Sequence, residues 1–294
     1  MTLVAWALAA AALGGPLPQT TQRYALEVTV DPEARTLEGT FRIAWDHPQS
    51  TPLETVRLHL YLNAFSHTHS TWFNEDQHPF LGGFNALDGF IEHDDPWGWN
   101  DLVAVTQGGR EASWTPIAPD DSNSLDATLV EIRLPEPVPP GQTAIIEGTF
   151  SARLPVLMPR TGVTDGLLVA GQWYPKLAMF ETPGVRHATS EAWAGTQYHG
   201  ATEFYSEFAD YEVDIAIPDG WTVGATGKGE VSEGVWHYEQ RAVHDFVFCA
   251  MPGPVDTRFT HTLPGGETVD VQLLTPVEYD LQIERAKRTL VVGL

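Results

Sequence analysis

The chain has 294 residues, 43% of them hydrophobic and 19% charged, a globular composition with room for one large β domain or two smaller ones. Its formal charge of −23 argues against nucleic acid, whose phosphates need a cationic surface, and disfavours anionic lipid. Cys249 is the only cysteine, which excludes an internal disulfide and a cysteine-based metal site.

The first feature is an alanine-rich apolar run, Leu3 to Leu13, followed by Gly14-Gly15-Pro16. The run is too short to span a bilayer and suits the core of a secretory leader. No Lys or Arg precedes it, so the usual basic n-region is missing. The expectation is an exported protein (periplasmic, envelope or secreted) with no membrane span. Residues 1–19 would be its signal peptide, cleaved near Gly14 to Gln19.

Strand patterns follow. Tyr24, Leu26, Val28 and Val30 alternate, Asp31-Pro32-Glu33-Ala34 turns the chain, and Leu37, Phe41, Ile43 and Trp45 continue the pattern, which predicts an antiparallel hairpin. Val56, Leu58, Leu60 and Leu62 predict a third strand. Asn63 to Asp101 breaks the rhythm with His, Asn, Asp, Gly, Phe and Trp, as a functional or mobile loop would. Inside it, His67-Thr68-His69 would place two rings on one face of a strand, near His93-Asp94-Asp95. A metal there is weighed against plain solvation of loop histidines, and solvation is the expectation.

Further strands are predicted at Leu129–Leu134, Thr143–Ala152, Val235–Gln240, Phe246–Ala250 and Val269–Thr275, with turn signals such as Pro139-Pro140-Gly141 between them. Cys249, inside an apolar run, reads as a buried, inert thiol. The clearest strand is Asp210–Ile217, with Tyr211, Val213, Ile215 and Ile217 on one face and Pro218-Asp219-Gly220 turning after it. Two aromatic stretches precede it, Gly171-Gln172-Trp173-Tyr174-Pro175-Lys176 and Gln197-Tyr198-His199-Gly200. Short strands without intervening helices imply a mainly β, antiparallel, multi-sheet fold. Only the end departs: Thr275-Pro276-Val277-Glu278 is a capping box, and Tyr279, Ile283, Ala286 and Leu290 then mark one helical face.

A search for chemistry returns little. The zinc-peptidase pattern His-Glu-x-x-His is absent, as are serine elbows and phosphate-binding glycine loops. His199 and Glu203 have helical spacing, yet Tyr198 and Gly200 favour a loop packed on aromatics. No catalytic and no metal residue is assigned. Gln172, Trp173 and Tyr174 are the candidate substrate-binding residues, the rings giving area and Gln172 orientation. Against that stands the reading of Trp173 and Tyr174 as core or interface aromatics.

Several of these segments resemble a known family. Tyr24 through Pro32, Leu37-Glu38-Gly39-Thr40 and Leu58-His59-Leu60-Tyr61-Leu62-Asn63-Ala64-Phe65 are similar to the opening of aminopeptidase-N-type (gluzincin) zinc metallopeptidases. Gly171 through Lys176, Phe204 through Gly227, Val243-His244-Asp245-Phe246 and Val271 through Pro276 are similar to a bacterial branch of that family. The resemblance covers about Arg23 to Leu294. It implies a saddle-like β domain over 20–275 and, over 276–294, the first helix of a thermolysin-type catalytic domain that is cut short. That domain carries His-Glu-x-x-His, a downstream glutamate and a Gly-x-Met-Glu-Asn-like motif, none of which occurs here. By resemblance the parent is a hydrolase of proteolysis that removes N-terminal amino acids from peptides. Its zinc would lie in the missing catalytic domain, and no cofactor is expected in this chain. The implied partners are that domain and a peptide substrate, with this fragment forming one wall of the groove. The alternative is a free-standing exported β module that binds a glycan or peptide through aromatics near Trp97, Trp99 and Trp173.

Overall fold

The computed structural model describes residues 7–11, 17, 19–75, 90–156 and 160–293. Its largest element is an eight-stranded sheet, in spatial order Lys228–Ser232, Val235–Val243, Ala209–Ala216, Gln22–Asp31, Thr36–Asp46, Thr143–Arg153, Trp99–Gln107 and Arg110–Glu111. The predicted hairpin forms its middle, with Tyr24 opposite Ile43 and Val30 opposite Leu37. The Asp31 carboxylate accepts the amides of Glu33 and Ala34 at 3.0 Å each, and Arg35 takes a left-handed φ of 60°, so the turn is made by aspartate chemistry. Gly39 sits opposite Phe150 and Gly148 opposite Phe41. A Cβ on either glycine would lie within 2.7 Å of the facing ring, so two rings and two bare backbones interlock.

One junction is not antiparallel. Ala209–Ala216 runs parallel to Gln22–Asp31, bringing Tyr211 beside Tyr24 with the two rings stacked nearly parallel, their centroids 4.9 Å apart. Strand alternation does the rest: Tyr24, Leu26, Val28, Val30, Tyr211, Val213 and Ile215 all point inward and are buried.

Two four-stranded sheets complete the core. One comprises Lys176–Leu177, Leu53–His59, Leu129–Val138 and Ser113–Pro116; the other comprises Gly162–Thr164, Leu167–Ala170, Phe248–Pro252 and Trp221–Ala225. Val56, Leu58, Ile132, Phe248 and Ala250 meet the large sheet in one contiguous cluster. Cys249, between Phe248 and Ala250 on their strand, is buried too, and burial pushes its thiol up to about 12, an inert form at neutral pH. A three-stranded sheet of Ala7–Ala11, Thr268–Thr275 and Val255–Thr262 carries its own small cluster of Leu273, Ile283 and Ala286. Ala7–Ala11, from the apolar run assigned to the leader, pairs there with residues 269–273; the rest of that run and most of its cleavage region lie outside the described residues.

Three expectations are corrected. The third strand stops at His59, and Leu62 lies in a 3-10 helix, Tyr61–Phe65. Asn63 explains the change: its amide donates to the carbonyls of Asn100 (2.8 Å) and Ala127 (3.0 Å) while its carbonyl accepts from the Asn100 amide (2.8 Å). One side chain thus does what a strand's backbone would have done. His67 and His69 share no strand face. They precede a short helix, Thr71–Asn74, capped by Ser70, and the His69 amide donates to His67 Nδ1 at 3.1 Å. Much of the Asn63–Asp101 segment, residues 76–89, lies outside the described residues. The C-terminal helix begins with a 3-10 turn, Val277–Gln282, before the α-helix Ile283–Gly293. The expected cap bond is missing, because buried Thr275 Oγ1 has no hydrogen-bond partner among the described residues. The helix's apolar face packs on the chain's own Leu273 and Val255. Among the described residues no helix is long and apolar enough to cross a membrane.

Candidate functional site

The segment from Gly171 to Lys176 joins Leu167–Ala170 in one four-stranded sheet to Lys176–Leu177 in the other. It begins under constraint. A Cβ on Gly171 would lie 2.2 Å from the Arg160 carbonyl, and Gln172 adopts a left-handed φ of 55°, which a non-glycine residue rarely takes. Trp173 and Tyr174 then enter the core and are fully buried. The Trp173 indole donates to the Phe246 carbonyl at 3.2 Å, and its ring lies against Phe150 and Phe248. Both rings are therefore core aromatics and offer no surface to a ligand in this chain. Trp97 is itself packed against the same cluster.

Asp245 organises the polar interior. Its Oδ1 accepts from the Tyr174 hydroxyl at 2.8 Å and lies 3.3 Å from Lys176 Nζ, while its Oδ2 accepts from the Gln172 amide. The Tyr174 hydroxyl is also 2.8 Å from that of Tyr211. Lys176 is 1% exposed and donates to the His244 carbonyl at 3.2 Å. Burial pushes this ammonium below its usual range, and Asp245 pulls it part of the way back. Burial also holds Tyr174 and Tyr211 well above the usual phenol range, so both stay protonated and able to donate. His59 is buried and stacks on Tyr61 at 4.4 Å. Burial, with the Lys176 charge added, lowers it to about 3, so it is neutral.

Gly171 and Gln172 are the members of this segment that border open space, and Gln172 brings the polar side chain. With Arg160, Tyr198, Phe204 and Tyr61 it lines a crevice of about 10 Å3, room for about one water. Its Nε2 is committed to Asp245, and a flipped amide would set Oε1 against that carboxylate. Its buried Oε1 therefore remains an acceptor with no hydrogen-bond partner among the described residues. Arg160 pairs with Glu203 at 2.5 and 3.0 Å and lies over the Phe204 ring.

The rim is the segment around His199, a loop as its neighbours Tyr198 and Gly200 predicted. Tyr198 stacks on Phe204, and both meet Tyr61 edge-on. His199 Nδ1 lies 2.5 Å from Glu75 and Nε2 lies 2.6 Å from Asp120. Burial opposes its charged form, but the hydrogen bonds it donates to Glu75 and Asp120 outweigh it and raise the imidazole above its ordinary value. The Gly200 amide also donates to Glu75, so the loop is tied on both sides of the ring.

Sequence reasoning named Gln172 but missed Lys176, Asp245, Arg160 and the acids that hold His199. A lysine in an aromatic run and an aspartate directly before an apolar strand were the available signals. Among the described residues, the metal-ligating groups that converge are Glu212, His237 and Glu239, and they lie on the outer face of the large sheet, with His67, His69 and His93 elsewhere.

No family model and no curated protein matches the sequence. Solved structures that resemble it include an M1 zinc metallopeptidase from Deinococcus radiodurans, at a TM-score of 0.44 and 15% identity, covering 83% of this chain and 45% of that one. A mutant of the enzyme from the same organism, bound to a Tyr-Ser-Ala substrate, gives 0.45 and 17%, with 86% and 47% covered. The chain thus spans less than half the length of the structures it matches.

Proposed function

We propose that this chain is the non-catalytic β domain of a zinc aminopeptidase, and that the face around Gln172 forms one wall of its peptide groove. The observation that carries the reading is the Gln172 carbonyl: buried, fixed in orientation by Asp245, and without a donor among the described residues. A peptide's terminal ammonium supplies such donors, and at the rim two carboxylates, Glu75 and Asp120, share the single His199, which leaves net negative charge to favour a cation. The crevice alone is too small for a side chain, so the groove needs a second wall. Its zinc and its general base would come from a catalytic domain, since no residue here matches His-Glu-x-x-His.

The test is a titration followed by NMR at the Gln172 side-chain amide. A dipeptide amide with a free amino end is expected to shift that signal, and its N-acetylated counterpart is expected to leave it in place. Equal shifts from both, or none from either, overturn the assignment of Gln172. Separately, the purified chain is expected not to cleave aminoacyl arylamides, and turnover abolished by chelator and restored by zinc overturns the non-catalytic reading.

A further inference from the structure

The outer face of the large sheet carries a group of side chains that the groove reading does not use. Glu212 and Asp214 leave the Ala209–Ala216 strand on its solvent side, and His237 and Glu239 leave Val235–Val243 on the same side. Register sets Glu212 directly opposite Glu239 and Asp214 directly opposite His237. Two glutamates facing each other across adjacent strands repel, in a chain already at −23. Lys228 lies across from Glu239 on the edge strand, but Glu230 lies across from His237, so that strand brings no net relief.

We propose that Glu212, His237 and Glu239 form a binding site for a divalent cation of the zinc type, with Asp214 as its orienting carboxylate. Each donor set in the group has a defined place. Asp214 lies 2.6 Å from His237 Nδ1, which puts the proton on that nitrogen and leaves the Nε2 lone pair as the ligand. Nε2 lies 3.5 Å from Glu239 Oε1. That is long for a hydrogen bond, yet two donors each about 2.1 Å from a tetrahedral ion stand about 3.4 Å apart. The three ligand atoms all lie within 4.8 Å of one another, and Glu212, exposed on a flexible stem, closes the remaining gap by rotation. Residues 237 and 239 project from one side of a strand, and the third ligand comes from the strand beside it. Both strands are hydrogen-bonded on each edge, so the backbone beneath the site is rigid. A bound cation would also cancel the repulsion between Glu212 and Glu239. One nitrogen with two carboxylates suits zinc, cobalt or manganese rather than a soft ion. The site rests on none of the groove residues.

The probe is Zn2+ alone, titrated into the whole chain in competition with a chromophoric chelator. One ion per chain is expected. His237→Ala is expected to remove that stoichiometric ion, and Asp214→Asn to weaken it by about 10- to 100-fold, the usual effect of losing an orienting partner. Co2+ in place of Zn2+ is expected to give the strong visible absorption of a low-coordinate site in the native chain and not in His237→Ala. His67→Ala and His261→Ala are expected to bind as the native chain does. All the changed residues are partly exposed, and a thermal melt of each variant without metal establishes that it is folded. No stoichiometric ion in the native chain, or equal binding by folded His237→Ala, overturns the site. Unchanged affinity in Asp214→Asn overturns the orienting role.

Discussion

His59 and His199 stand on either side of Tyr61 and Tyr198, and their surroundings have nothing else in common. His59 is sealed in the core beside a buried lysine, where burial makes the imidazolium unaffordable. His199 sits at the rim between two carboxylates, where the imidazolium is the favoured form. The same side chain is therefore a neutral stacking surface in one place and a charged cross-link in the other. Desolvation decides the first case and paired anions decide the second.

The buried charge beside His59 depends on the Lys176–Asp245 pair. Asp245→Ala is expected to cost about 3–5 kcal/mol, because it leaves a buried ammonium uncompensated. Lys176→Met combined with Asp245→Asn is expected to recover much of that loss. Urea denaturation measures both, and equal stabilities for Asp245→Ala and the native chain would show that the pair is not dry. Trp173→Ala is expected to cost about 3–5 kcal/mol, the price of a large core cavity. A groove-lining tryptophan would cost far less.

The two histidines then predict opposite pH responses. His59 is depressed in the folded chain, to about 3 from 6.5, so its contribution to stability is present above 6.5 and is lost as pH falls towards 3. His199 is raised, so its contribution is full below 6.5 and is lost as pH climbs through the raised value. Melting temperature against pH should therefore sag at both ends, with His59→Leu flattening the acid limb and His199→Gln the alkaline one. A slope unchanged by its own substitution refutes the corresponding half. At pH 6, His199→Gln should cost about 1 kcal/mol, since the clamp is partly exposed. Smallest of all, Thr275→Val should be neutral or stabilising by up to about 1 kcal/mol, because its buried hydroxyl makes no cap bond.

Much of the fold was legible. Period-two alternation marked Gln22–Asp31, Thr36–Asp46 and Ala209–Ala216, since each buries one face and wets the other. Lys228–Ser232 and Val255–Thr262 went unmarked because their faces are exposed or only half-buried, and Trp99–Gln107 because its buried positions Asn100, Leu102 and Val105 include a polar residue and fall out of step at the irregularity between Leu102 and Ala104. Leu62 misled because a 3-10 turn buried on all sides uses the same apolar residues as a strand. At the site, Gln172 was visible for its neighbours' sake, whereas Trp173 and Tyr174 looked the same as surface aromatics would. The partners of Asp245 come from distant parts of the chain, as do those of His199, and no local pattern announces such meetings.

The parallel strand junction also bears on how the chain is made. Gln22–Asp31 and Ala209–Ala216 are separated by roughly 190 residues, so of the two bare edges with which the hairpin leaves the ribosome, the Gln22–Asp31 edge is covered last. At about 5–20 residues per second, that edge waits roughly 10–40 s for its neighbour to be synthesised. During that interval it is an open template for strands of other chains. The same junction that closes the sheet in the finished protein thus sets the period in which a nascent one is most exposed to aggregation.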